Sequence, residues 1–169
     1  FDPKALERAV PRYTSYPTAP HFQGDFDPAT YGRWLAGVPG DAPLSLYLHV
    51  PFCDELCWFC ACRTQGAKRY TPVVRYLDIL AREIEMVAAH FPPDQPVSHM
   101  HWGGGSPTVL APGHTLWLKG LMEERFPGVA AAEFAVEIDP RDMTEAKLDA
   151  LARAGLGRAS IGVQDFDPA

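Results

Sequence analysis

All four cysteines of the chain fall within ten consecutive residues, Cys53-Asp54-Glu55-Leu56-Cys57-Trp58-Phe59-Cys60-Ala61-Cys62, with three, two and one residues between them. Such a run can place three or four thiolates around one point, as an iron-sulfur cluster or a metal ion requires. Disulfides account for it poorly, because small stapled domains spread their cysteines widely and this chain is acidic. Structural zinc commonly draws on two separated cysteine pairs, and no second pair exists elsewhere in the chain. Ferredoxin-type carriers space their first three cysteines by two residues each and end in Cys-Pro; here the first gap is three. Asp54 and Glu55 lie between the first two cysteines. Negative charge beside a cluster disfavours an added electron, so a low reduction potential is expected, the alternative being two solvated loop carboxylates.

With Phe59 just before the third cysteine, the three-then-two spacing resembles the signature of the radical S-adenosylmethionine (SAM) superfamily. The fourth cysteine, Cys62, the preceding Tyr47-Leu48-His49-Val50-Pro51-Phe52 and the early Arg12-Tyr13-Thr14-Ser15-Tyr16-Pro17-Thr18 resemble one branch of it, the oxygen-independent coproporphyrinogen III oxidases. The resemblance runs from Arg12 to Phe166. It implies that Cys53, Cys57 and Cys60 hold a [4Fe-4S] cluster whose fourth iron takes SAM through its methionine amine and carboxylate. An electron passed to the sulfonium then yields a deoxyadenosyl radical, the cofactors supplying the chemistry and the protein its orientation and shielding. Cys62 matches the branch's extra, non-ligating cysteine, whose role is open. Tyr47, Gly104 and Glu137 match contacts to a first SAM; Phe59, Gly105, Ser106 and Gln164 match contacts to a second. The branch commonly has Thr at the position of Ser106, and the hydroxyl is kept.

The implied reaction is anaerobic oxidative decarboxylation of two propionate side chains of coproporphyrinogen III to vinyl groups, giving protoporphyrinogen IX. It calls for an unidentified electron donor and acceptor. Rival readings are a related haem chaperone or radical methyltransferase, and a non-enzymatic iron-sulfur or zinc module. Cys62 and the Arg12 to Thr18 segment speak against the first two, since chaperone-type relatives lack the fourth cysteine.

Several residues also stand out on their own chemistry. Gly103-Gly104-Gly105-Ser106 removes side chains where backbone must approach something closely, a turn being the plainer alternative. Glu137 is a carboxylate in an apolar strand and needs a partner, either a ligand or a salt bridge to Arg141 or Arg158. His49, flanked by apolar residues, is expected to support the cysteine loop rather than to shuttle protons. Arg63, Lys68 and Arg69 are candidates for gripping substrate carboxylates, or form a solvated basic loop.

The chain of 169 residues, 47% hydrophobic and 21% charged, suits one globular domain with a real core. Its longest apolar stretches fall well short of the roughly 20 residues of a membrane span. A charge of -6 argues against nucleic acid as a partner, because phosphate binding needs a basic face. A cytoplasmic monomer without a secretory leader is expected. Phe1 in place of Met and the end at Pro168-Ala169 suggest part of a longer chain.

The proline-rich residues 1 to 25 favour an extended arm, with Tyr13, Tyr16 and Phe22 costly to leave in water. Asp27-Pro28 should open a short helix to about Val38. Pro43 to Val50 reads as a first strand, leading directly into the cysteine loop. Thr71-Pro72 opens a helix with Val73, Leu77, Leu80, Ile84 and Val87 on one face. A second strand over Val97 to Trp102 stops at the glycines, and a helix follows near Gly113 to Arg125. A third strand covers Phe134 to Asp139. Thr144 then caps a helix carrying Leu148 and Leu151 and closing at Gly155, and Arg158 to Val163 makes a fourth strand. Alternation with short links argues for parallel strands joined by right-handed crossovers. The candidate residues then all sit at carboxyl ends of strands, where parallel α/β folds bind ligands. The expected class is α/β; four strands cannot close a barrel, leaving an open crescent or the front part of a longer chain, and the resemblance implies the second, the first four units of a partial parallel (β/α) barrel of the radical SAM type. Residues 1–40 would be an arm and short helix, and 41–169 the core.

Overall fold

The structure is a computed structural model and describes residues 18, 21, 22, 24, 26–58, 60 and 62–162. Most of the expected N-terminal arm, Phe59 and Gln164 lie outside the described residues. Residues Phe1–Trp34 and Leu35–Ala169 form two compact units. In the first, Phe22 is exposed. Helix α1, Pro28–Ala36, starts where expected, with Asp27 Oδ1 accepting the Thr30 N–H at 2.8 Å. It stops two residues short of Val38. Gly37 and Pro39 follow, and a residue before proline is pushed out of the helical region.

The second unit is built on four parallel strands. These are β1 (Leu44–Val50), β4 (Val97–Gly104), β5 (Glu133–Ile138) and β6 (Arg158–Ile161), adjacent in that order. Between β1 and β4 come two short strands, β2 (Phe52–Cys53) and β3 (Gln65–Gly66), paired in parallel with each other. Helices α2 (Thr71–Ala88), α3 (Pro112–Arg125) and α4 (Glu145–Arg153) fill the crossovers, with α2 beside α3 and α3 beside α4.

Side-chain alternation divides the sheet. Leu48 and Val50 of β1, Met100 and Trp102 of β4, and Phe134 and Val136 of β5 are buried in one core with Val73, Leu77, Leu80 and Ile84 of α2. Leu118 and Met122 of α3 and Leu151 of α4 complete it. Leu148, expected beside Leu151, is exposed: the face this nine-residue helix turns down buries Ala150 and Leu151, with Ala154 buried at its C-terminal cap. The residues between the buried ones, Tyr47, His49, His101 and Glu137, occupy the opposite, polar face.

Two further expectations change. Strand β4 does not stop at the glycines; Gly103 and Gly104 continue the ladder opposite His49 and Val50. Strand β5 begins one residue early and ends at Ile138, because Asp139 turns to cap the one-turn helix Pro140–Asp142 by accepting the Arg141 N–H.

Candidate cluster and cofactor site

Cys53 ends β2, and the loop it opens is closed at its root by β3. Phe52 and Cys53 pair with Gln65 and Gly66; the Gln65 N–H donates to the Pro51 carbonyl at 2.9 Å and the Ala67 N–H to that of Cys53 at 3.0 Å. Thr64 adds a hydroxyl that bonds the Pro51 carbonyl at 3.2 Å and lies 3.3 Å from Cys53 Sγ. All four cysteines are free thiols; Cys53 and Cys57 are half-buried, and Cys60 and Cys62 exposed. Burial raises the Cys53 thiol above its ordinary range; the Thr64 hydroxyl opposes this, and the nearby Cys60, Cys57 and Asp139 add to it. Burial also raises Cys62, helped by the charge of and a hydrogen bond to Cys60, and then by Glu137 and Cys53. Cys53 and Cys62 both feel Cys60, so these sulfurs share one small region.

The glycine run docks against this root. Gly105 N–H donates to the Val50 carbonyl at 2.8 Å and Ser106 N–H to that of Phe52 at 2.7 Å. A Cβ on Gly105 would stand 2.5 Å from the Phe52 carbonyl oxygen and 2.7 Å from Thr64 Oγ1, so only glycine allows the approach. Gly104 has φ +111°, and a Cβ there would meet the His49 ring at 2.5 Å. The run therefore serves fold and site together: the Gly105 and Ser106 amides tie it to Val50 and Phe52 just before the cysteine loop, and its lack of side chains leaves room beside Glu137 and His49.

Ser106 is tied back into the protein. Its hydroxyl lies 2.7 Å from Thr108 Oγ1 and bonds Asp142 Oδ2 at 3.3 Å, and its carbonyl accepts the Val109 N–H. Every polar group it owns is engaged.

Glu137 finds neither arginine. Its Oε2 accepts the Gly104 N–H at 3.1 Å and its Oε1 lies 3.3 Å from His101 Nε2. Arg158 pairs with Glu133 at 3.1 Å, and Arg141 with Asp139 at 2.6 Å. The carboxylate is 44% exposed, so it keeps room to accept further bonds from a ligand. Tyr47 is 56% exposed and is not core; its ring stacks on His101 at 5.7 Å between centroids. Its hydroxyl lies 3.2 Å from His49 Nδ1, and His49 Nε2 lies 2.8 Å from the Arg63 carbonyl. A carbonyl only accepts, so Nε2 carries a proton and Nδ1 accepts from Tyr47. His49 thus fastens the far end of the cysteine loop to β1, the supporting role its sequence context suggests.

Sequence reasoning missed His101 and Arg141 as site residues. His101 had a signal: in Ser98-His99-Met100-His101-Trp102, the alternation that buries Met100 and Trp102 sends His99 and His101 to the face of Tyr47. Lys68 and Arg69, candidates for substrate carboxylates, line a groove of about 750 Å³ together with Asp54 and Glu55. Its mixed charge gives no net pull on an anion.

Three soft thiols on one loop suit iron-sulfur ligation. Among the described residues no three His, Cys, Asp or Glu side chains close around a single ion, as sulfurs about 2.3 Å from a lone zinc would have to. A model of the radical SAM superfamily matches residues 47–169. The chain belongs to the radical SAM superfamily. Its fold is accordingly the first four β/α units of that superfamily's partial parallel barrel, and the donor set fits the superfamily's [4Fe-4S] cluster, with SAM as the second cofactor. The chain is 52% identical over 163 residues to the oxygen-independent coproporphyrinogen III oxidase of Paracoccus denitrificans, covering 96% of this chain and 36% of that protein. It is 48% identical over 162 residues to the protein of that name from Bradyrhizobium diazoefficiens, again covering 96% and 36%. Among solved structures, coproporphyrinogen III oxidase from Escherichia coli, described as a radical SAM enzyme, superimposes with a TM-score of 0.86 at 39% identity. That match covers 99% of this radical SAM chain and 37% of the other. The chain thus spans about a third of the length of these relatives.

Proposed function

We propose that this chain is the cofactor-binding part of an enzyme that converts two propionate side chains of coproporphyrinogen III to vinyl groups without oxygen, giving protoporphyrinogen IX. The observation that carries the reading is the 52% identity, over 96% of the chain, to a relative named for acting on that substrate. The architecture supports it: cysteine loop, glycine run and Glu137 meet at the carboxyl ends of β1, β4 and β5, on the polar face of the sheet.

Cys53, Cys57 and Cys60 would hold the cluster, and Cys62, two residues beyond Cys60 and not a ligand, would stand beside it. Bound together, the cofactors supply a carbon radical able to take a hydrogen atom from the propionate carbon β to the carboxylate, the one bonded to the porphyrinogen ring. Loss of carbon dioxide and one electron from the substrate then leaves the vinyl group. Glu137, held by the Gly104 amide and His101, would accept hydrogen bonds from a first SAM, with Tyr47 and Gly104 bordering the same space. A second SAM would lie toward Gly105, with Phe59 and Gln164. Ser106 would touch that SAM only by exchanging its bonds to Thr108 and Asp142; as it stands, it anchors the run. A donor and an acceptor of single electrons complete the reaction. The proposal places the enzyme in the cytoplasm as a monomer; among the described residues no helix is long and apolar enough to cross a membrane.

The test is product analysis with full-length protein under strict anaerobiosis, supplied with SAM, a reductant and coproporphyrinogen III. Release of carbon dioxide with a divinyl product is expected. Cleavage of SAM with the propionates left intact would refute this reading in favour of a relative with other chemistry.

A further inference from the structure

Arg141 reaches across from the end of β5 to the cysteine loop. Its Nε and Nη2 donate to the Asp139 carboxylate, the shortest bond being 2.6 Å, and this fork fixes the plane of the guanidinium. The donors left over point at the loop: Nη1 lies 3.3 Å from Glu55 Oε2, and Nη2 lies 3.6 Å from Cys57 Sγ. Glu55 and Asp139 both pair with Arg141 at this corner, at 3.3 and 2.6 Å. The sequence suggests a low potential, because the negative charges of Asp54 and Glu55, between Cys53 and Cys57, disfavour an incoming electron. The structure opposes that with a fixed positive charge and a donor aimed at a ligating sulfur.

We propose that Arg141 is a positioning residue that raises the reduction potential of the cluster and pins the Cys57 side of the loop to the end of β5. Charge and hydrogen bonds to sulfur are established levers on cluster potential. Only a guanidinium has donors enough, in a rigid fork, to serve Asp139, Glu55 and Cys57 at once; an ammonium keeps the charge and gives up the geometry. Substitution therefore separates the two parts of the role. The inference rests on the chain's thiols holding a cluster, and it is read from the cluster's potential rather than from turnover.

The experiment compares full-length wild type, Arg141→Gln and Arg141→Lys, each reconstituted anaerobically without SAM, by iron content and by midpoint potential from an EPR-monitored titration. Arg141→Gln is expected to bind an electron about tenfold more weakly, which for one electron is about 59 mV downward. Arg141→Lys should fall less than half as far. Both should show faster amide exchange across residues 54–58. A loaded Arg141→Gln with the wild-type midpoint overturns the proposal. Should Arg141→Gln fail to hold the cluster, Arg141→Lys decides: a loaded cluster below the wild-type midpoint supports the assignment, and an unchanged midpoint or a second failure to load overturns it. A wild type that takes up no cluster overturns the site reading and this inference with it, whereas a loaded wild type with unmoved variants overturns this inference alone.

Discussion

Each thiol of the loop has a different expected consequence when removed. Replacing Cys53, Cys57 or Cys60 singly with Ser should abolish stable four-iron loading of the full-length protein, while Cys62→Ser should retain it; iron analysis and the visible absorption of the reconstituted protein separate the cases. Glu137→Gln should keep the cluster and weaken SAM binding at least tenfold, read by equilibrium binding, because the exchange removes the charge beside the Gly104 amide. Gly104→Ala combines an unfavourable φ with a clash against the His49 ring, and should cost about 1–3 kcal/mol of stability by denaturant titration. The cysteines were legible because their message is local, held within ten residues. Glu137 was legible as a carboxylate in need of a partner, but not the partner's identity. Arg141 and Cys57 are 84 residues apart and meet only because β5 ends beside the loop, which no local pattern encodes.

Elements are tied to one another by two tyrosines. Tyr76 of α2 donates its hydroxyl to the His49 carbonyl of β1, and Tyr70, just before α2, accepts the Ala111 N–H at 2.8 Å at the entrance to α3. Burial raises both phenols, Glu83 and Tyr47 adding to the rise at Tyr76 and the Ala111 N–H offsetting it at Tyr70. A folded value above the unfolded one, near 10 for tyrosine, means stability that is complete below that pH and lost as pH climbs through the raised values. Thermal melts should therefore fall on the alkaline side, and Tyr76→Phe should flatten the fall. Leu77→Ala, at a fully buried position of α2, should cost about 2–5 kcal/mol, and Thr144→Ala, which removes the cap on the Lys147 N–H, about 1 kcal/mol. Long periodic elements such as α2 were readable within a residue or two. Strands β2 and β3 were not, since two residues show no period, and Gly103-Gly104 looked like a stop because nothing in the sequence marks a strand whose missing side chains make room for a neighbour's.

On the scale of the whole chain, the sheet separates duties. Its apolar face is covered by helices, and its polar face gathers the candidate residues at one edge, so parallel α/β followed from alternation, the partial barrel from the resemblance, and the open face had to be seen. A ligand that binds the folded state and not the unfolded one stabilises by mass action. Removing iron from the loaded full-length protein with a chelator should accordingly lower its melting temperature, and anaerobic reconstitution should restore it.

The two-residue ladder between β2 and β3 separates the fate of the cysteine loop from that of the scaffold beneath it. Its root is sealed by main-chain bonds that need no iron, so oxygen damage that strips the metal can loosen the crown while the base keeps its register. Protein stripped of iron is then expected to keep the amide protection of Gln65 and Ala67 in hydrogen exchange and to reload without refolding of the sheet.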